Sequence, residues 1–192
     1  MLAVLHAENA TLTYEDGNHP FVECATFADD IKYHGGAWQS DFHFIDQPYY
    51  PNDDPQNYDF QTAAHNLTYG IEAIIQWLSS KNDGNDYLDS YMYDYIQNRL
   101  YPGEPELAQS YALRLLIHYI GDIHQPLHAE AQFSPDFPDG DAGGNAFVLP
   151  YHYGADELHA VFDSLMYSER NNIARPINDT YWPIFVTNAN AV

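Results

Sequence analysis

The sequence predicts a mainly α-helical fold with one short hairpin, on three observations. Apolar residues recur with a 3.6-residue period over most of the chain. Extended patterns are confined to two brief segments, Trp38 to Asp46 and Asn145 to Tyr153. Clusters of Gly, Pro, Asp and Asn punctuate the periodic stretches, with no internal repeat of domain size and no low-complexity tract. At 192 residues, 45% hydrophobic and 16% aromatic, the chain is expected to fold as a single domain over residues 1–192.

Phe21 to His34 reads as a first helix, with Phe21, Cys24, Ala25, Ala28 and Ile31 on one face and Gly35-Gly36 as its stop. Trp38 to Asp46 follows as an extended segment, and Gln47 to Tyr58 as a Pro- and Asp-rich loop. A second helix is expected from Asp59 to Leu78, its broad apolar face running from Phe60 through Leu67 and Ile71 to Leu78. Tyr87 to Leu100 reads as a third, with Tyr87, Tyr91 and Tyr95 forming a core or interface stripe. Pro102-Gly103 breaks it, and Glu104 to Asp122 is the fourth, with Leu113, Leu116, Ile117 and Ile120 as its apolar stripe and Pro126 as its terminator. Ser134 to Gly144 is a loop without the regular acidic spacing of a calcium site. Asn145 to Tyr153 reads as a strand or hairpin and Ala155 to Met166 as a last helix.

Six basic residues stand against 28 acidic ones, a formal charge of -22, which repels nucleic acid and anionic membrane unless bound metal or acidic pH changes the local sign. The single Cys24 excludes an intrachain disulfide and a thiolate zinc site. Sequons at Asn9, Asn66 and Asn178 lean towards a glycoprotein of the secretory route. No apolar run spans a membrane and no signal peptide is visible.

The chemistry concentrates in Tyr111 to Glu130. His118 and Asp122 are one helical turn apart on one face, and His128 follows Pro126. A second His-x-x-x-Asp pair, His159 and Asp163, lies on the last helix. Each pair alone also reads as an ordinary hydrogen-bonded pair. Asp29 alone reads as a solvated helical carboxylate, and His43, between two phenylalanines, as a packed core residue. Together Asp29, His43, His118, Asp122, His128, His159 and Asp163 offer only nitrogen and oxygen ligands, which suits hydrolytic zinc. Two nearby metals would serve phosphoryl or ester hydrolysis. There is no nucleophile elbow, P-loop or dinucleotide fingerprint.

HYIGDIHQPLH at His118 to His128, GGN at Gly143 to Asn145 and ELHAVFD at Glu157 to Asp163 resemble the zinc-dependent S1/P1 nuclease family. Upstream, ATFADDIK at Ala25 to Lys32 and WQSDFHFID at Trp38 to Asp46 resemble its further segments, in the family's order. The resemblance implies a helical phospholipase C/P1 nuclease-like fold with up to three zinc ions. It also implies a phosphodiesterase and endonuclease activity on single-stranded DNA or RNA and on 3′-nucleotides, through a metal-bound hydroxide. By position, Asp29, His43, His118 and Asp122 would hold one zinc, with Asp122 bridging towards another, and His128, His159 and Asp163 would hold a second. Phe44 would stack on a base, Asp46 would contact it, Lys32 would face the phosphate, and Asn145 would line the cleft. Asp29, Lys32 and Asp122 are the residues expected to act in catalysis. A secreted or lysosomal-type location follows from the same resemblance, and no protein partner is implied.

The family's N-terminal tryptophan motif, which supplies the third zinc site, has no counterpart here, and His6 is assigned no metal role. The expectation is therefore a piece incomplete at both ends, with two zinc sites complete. Two other readings stand beside the nuclease. A zinc-dependent phospholipase C shares the H-x-x-G-D-x-x-Q-P-x-H run, and a metal-binding remnant without catalysis would follow from the missing site.

Overall fold

In a computed structural model of the chain, residues 21, 24–51, 55–79, 86–152 and 155–163 are described, and they are mainly helical. His6, the sequons at Asn9 and Asn178, and the end of the last expected helix lie outside the described residues. The chain divides into two compact units, Met1–Gly143 and Gly144–Val192, and each is described by itself.

In the first unit, a 3-10 turn at Cys24–Thr26 leads into helix α1, Phe27–Ile31. Gly36 ends this segment by close approach, because a Cβ there would sit 2.7 Å from the Ile31 carbonyl oxygen. Residues Ala37–His43 then form a 3-10 helix rather than the expected extended segment. Gln39, Phe42 and His43 are all buried, a spacing of three and four that strand alternation cannot satisfy. The backbone becomes extended only at Phe44 and continues as strand β1, Gln47–Tyr49.

Helix α2 covers Leu67–Ser79, eight residues shorter at its start than the apolar pattern suggests. Phe60 packs edge-on against Phe133, with centroids 5.1 Å apart, instead of joining the helical stripe. Asn66 sets the boundary: its Oδ1 accepts from the Tyr69 amide at 3.0 Å. The Leu67 amide is committed to the Phe44 carbonyl at 2.9 Å, tying α2 to the segment that carries His43.

The third expected helix is present in altered form. A 3-10 turn at Asp86–Asp89 precedes α3, Tyr91–Tyr93, which widens into a π-helix over Asp94–Leu100. That wider turn brings Asp94 and Arg99, five apart, into an ion pair with Arg99 Nε 2.9 Å from Asp94 Oδ2. The tyrosine stripe packs as expected: Tyr95 stacks on Trp38 at 4.2 Å, and Tyr91 and Tyr87 lie against the core.

Helix α4, Pro105–Asp122, is the central element, with Pro105 at its start. Its buried face is Tyr111, Leu115, His118 and Tyr119, not the expected stripe. Leu113, Leu116 and Ile117 are half-buried and Ile120 is 42% exposed. The rotation follows from the aromatic neighbours: Tyr111 meets Phe27 edge-on at 5.1 Å, and Arg114, fully buried, lies 4.5 Å over the Phe27 ring. The turn that follows is closed by backbone bonds, and Pro126 opens helix α5, Pro126–Ala129, instead of terminating α4. Gln125 caps α5 through its side-chain oxygen, 2.6 Å from the Leu127 amide. Strand β2, Glu130–Gln132, then pairs in parallel with β1, a pairing not foreseen from such short segments.

The loop ends at Gly143, where φ is +60 and an added Cβ would fall inside the radius of the Leu127 carbonyl oxygen. Gly143→Ala is expected to destabilise the protein by about 2–4 kcal/mol, from strain plus the clash, read as a shift in the denaturant midpoint.

In the second unit, strands β3, Val148–His152, and β4, Ala155–Glu157, form an antiparallel hairpin that extends past the expected segment Asn145 to Tyr153. Pro150 lies within β3 and not at a turn. Strand β4 takes the first residues of the expected helix, so α6 begins at Leu158 and is described to Asp163. Its first amides bond back to the Phe147 and Gly144 carbonyls, at 3.0 and 3.3 Å. Among the described residues, no helix is long and apolar enough to cross a membrane.

Candidate metal centre

The buried face of α4 carries His118 into the core, 7% exposed. Its Nδ1 lies 2.6 Å from the Ala25 carbonyl oxygen, so Nδ1–H donates there and Nε2 is the ring atom that faces the cluster, a donor to Asp122 when protonated and a lone-pair donor when that proton leaves. That Nε2 is 3.2 Å from Asp122 Oδ2, 3.2 Å from His43 Nδ1 and 3.8 Å from Asp29 Oδ2. His43, 3% exposed at the end of its 3-10 helix, turns Nδ1 into the same point, 2.8 Å from Asp122 Oδ2 and 4.0 Å from Asp29 Oδ1. One ligand atom each from Asp29, His43 and His118 lies within 4.8 Å of the others, a group able to hold a metal ion. The histidines form the buried floor, and Asp29, 65% exposed, stands at the solvent side.

Electrostatics favour a cation between these groups. Burial acts to raise the Asp122 pKa, but hydrogen bonds from His118 and His43 outweigh it and hold the carboxyl at about 2. Burial acts to lower the His118 pKa, and Asp122, Asp29 and the Ala25 carbonyl together raise it above 6.5. Two imidazole nitrogens and two carboxylates converge without a thiolate, which is the donor chemistry of zinc. The buried Nε2 of His43 has no hydrogen-bond partner, so this ring makes its polar contacts on the side of the cluster.

His128 is held beside the cluster by a reciprocal lock. Its Nδ1 donates to the His43 carbonyl at 2.8 Å, and the Ile45 amide donates to the His128 carbonyl at 2.7 Å. With Nδ1–H engaged by backbone, the neutral ring carries its lone pair on Nε2. The Phe44 ring lies over His128 with centroids 4.7 Å apart. Phe44, Asp46 and Lys32 line one cavity of about 330 Å³, together with Phe60 and Asp41. Asp46 has φ of 54, a left-handed conformation uncommon outside glycine and often found at binding sites.

In the second unit His159 is buried, and its Nε2 lies 3.5 Å from Asp163 Oδ2, so the second pair shares one face of α6. Asn145 is exposed in the loop before β3. Asp29, His43, His118 and Asp122 are thus brought together, Lys32, Phe44 and Asp46 line a common cavity, and His128 neighbours both groups within the first unit.

Two supporting residues carry no motif signal. Tyr119, fully buried, donates to Gln39 Oε1 at 2.8 Å, and Gln39 Nε2 donates to the Ala28 carbonyl at 2.9 Å. The relay fixes the backbone next to Asp29 from the helix that carries His118. Burial also pushes the Tyr119 hydroxyl well above its usual pKa, so it stays a donor. Only the fold reveals this pair, since a Gln and a Tyr 80 positions apart form no local pattern. Tyr119→Phe should cost about 1–3 kcal/mol, because the Gln39 oxygen is left buried without its donor. Thermal unfolding of the metal-free protein reads the loss.

The family model of the S1/P1 nucleases matches residues 3–189. Nuclease S1 of Aspergillus oryzae is 30% identical over 158 residues, covering 81% of this chain and 45% of the relative. Endonuclease 4 of Arabidopsis thaliana is 28% identical over 150 residues, 73% of this chain and 41% of the relative. Nuclease P1 of Penicillium citrinum is 27% identical over 146 residues, 74% and 43% respectively. The chain therefore spans less than half the length of these relatives. A family match running across both His-x-x-x-Asp pairs, on a mainly helical fold with a built His/Asp cluster, has one consequence: the chain belongs to the S1/P1 nuclease family.

Proposed function

We propose that the protein is a zinc-dependent phosphodiesterase that cleaves single-stranded nucleic acid and hydrolyses 3′-nucleotides. The observation that carries this reading is the convergence of Asp29, His43, His118 and Asp122 beside a cavity lined by Phe44 and Lys32. These four residues would hold one zinc, and His128, His159 and Asp163 a second, the latter assignment resting on family position. When bound, zinc supplies a Lewis acid that activates water and carries charge developing on the phosphoryl oxygens.

The chain's own residues do the rest. Lys32 offers the cation that offsets phosphate charge in an acidic protein. The Phe44 face takes a base by stacking, which tolerates any base and fits a single strand more readily than a duplex. Asp46, on the wall of the same cavity, contacts the base edge by family position. Asp29, at the solvent side, accepts a proton from attacking water at its carboxylate, and Asp122 keeps both histidines oriented. Asn145 contacts substrate by family position. Three sequons and family membership support a glycosylated protein of the secretory route; Asn66, the one among described residues, is also the α2 cap.

Assay against three substrates separates the readings. The expected result is release of phosphate from 3′-AMP and cleavage of denatured DNA, without release of phosphocholine from lecithin. Phosphocholine release would make it a phospholipase C, and zinc binding without any hydrolysis would make it a remnant.

A further inference from the structure

The cavity beside Phe44 carries chemistry that stacking alone does not use. Phe44 and Phe60 supply aromatic walls, while Asp41, Asp46, Gln61 and Lys32 supply polar groups. At about 330 Å³ it lies at the lower end of small-molecule sites, the scale of one nucleotide unit. Asp41 is exposed on the 3-10 helix two residues before His43 and lines the cavity together with Asp46, which lies on the segment after that helix.

We propose that Asp41, acting with Asp46, makes this cavity select bases with an amino edge, guanine foremost, over uracil and thymine. A carboxylate only accepts hydrogen bonds. Guanine presents an N1–H and an N2 amino group side by side, which one carboxylate can take in two parallel bonds. Adenine and cytosine each present one amino group, at N6 and N4. Uracil and thymine present a single N–H between two carbonyl oxygens, and those oxygens meet two acidic side chains. Gln61, on the same cavity, can donate to the guanine O6 that remains. Stacking on Phe44 holds all bases, and the carboxylate pair ranks them.

The proposal rests on the hydrolase reading for its location, and its test is independent of turnover. The zinc-loaded protein is titrated calorimetrically with the four ribonucleoside 5′-monophosphates. Guanosine monophosphate is expected to bind about tenfold tighter than uridine monophosphate, with the other two between, the size of one good paired contact. Asp41→Asn, whose amide both donates and accepts, should narrow that ratio to about threefold or less. Equal affinities, no binding of any base, or an unchanged ratio in Asp41→Asn would overturn the proposal. Hydrolysis of the four 3′-monophosphates is measured on the same samples. Selective binding without hydrolysis would remove the hydrolase reading and leave base selection standing.

Discussion

His118→Ala is expected to lower hydrolysis of 3′-AMP and denatured DNA by about a thousandfold and to reduce bound zinc, because it deletes the imidazole at the buried centre of the proposed zinc site. The effect should exceed that of altering Asp29, which is 65% exposed, whereas His118 is the group whose Nε2 meets Asp29, His43 and Asp122 at once. Deleting the ring also abandons the Ala25 carbonyl that it binds at 2.6 Å, so the segment before Asp29 loses its tether. Zinc content and initial rates on one sample check both parts. Full zinc content with undiminished turnover in this variant would remove His118 from the site.

Asp122→Asn should have the second largest effect, visible in the metal-free protein as a changed pH profile of stability. The Asp122 pKa is lowered from 3.8 to about 2, so its contribution is present above pH 3.8 and is lost as pH falls through about 2. The His118 pKa is raised above 6.5, so its contribution is complete below pH 6.5 and is lost as pH rises through the folded value. The metal-free protein should therefore gain most from this pair between about pH 4 and pH 6.5. In Asp122→Asn about 2 kcal/mol of that gain disappears and the profile flattens across the window. Urea midpoints at pH 3, 5 and 8 read it, and an unchanged pH dependence would contradict the pairing. Zinc must displace the proton from His118, so its affinity should also fall as pH drops below that raised pKa.

What the sequence made legible follows its local order. The His118–Asp122 pair, its helix and the hairpin could be read because each is fixed by neighbours along the chain. The orientation of that helix could not. Leu113 to Ile120 has the better apolar period, yet the packing of Tyr111 and Arg114 against Phe27 turns a different face inward. His43 was legible only as one of a set of possible ligands, since alone a histidine between two phenylalanines looks like core, and it is in fact both core and ligand candidate. The 3-10 form of Ala37–His43 was hidden for a related reason. Its pattern alternates like a strand, while its conformation is set by contacts from Gln39 to Ala28 and Tyr119, distant in sequence. Pro126 shows a different limit: the same residue type ends one helix or begins the next, and the Gln125 cap decides which.

Asp29, His43, His118 and Asp122 are proposed to hold a catalytic zinc. Anomalous diffraction at the zinc edge, from crystals of the zinc-loaded protein that hydrolyses 3′-AMP, tests this most directly. The expected result is a peak bounded by His43 Nδ1, His118 Nε2 and the two carboxylates, lost together with activity on chelation. Active crystals with no zinc at that point would contradict it.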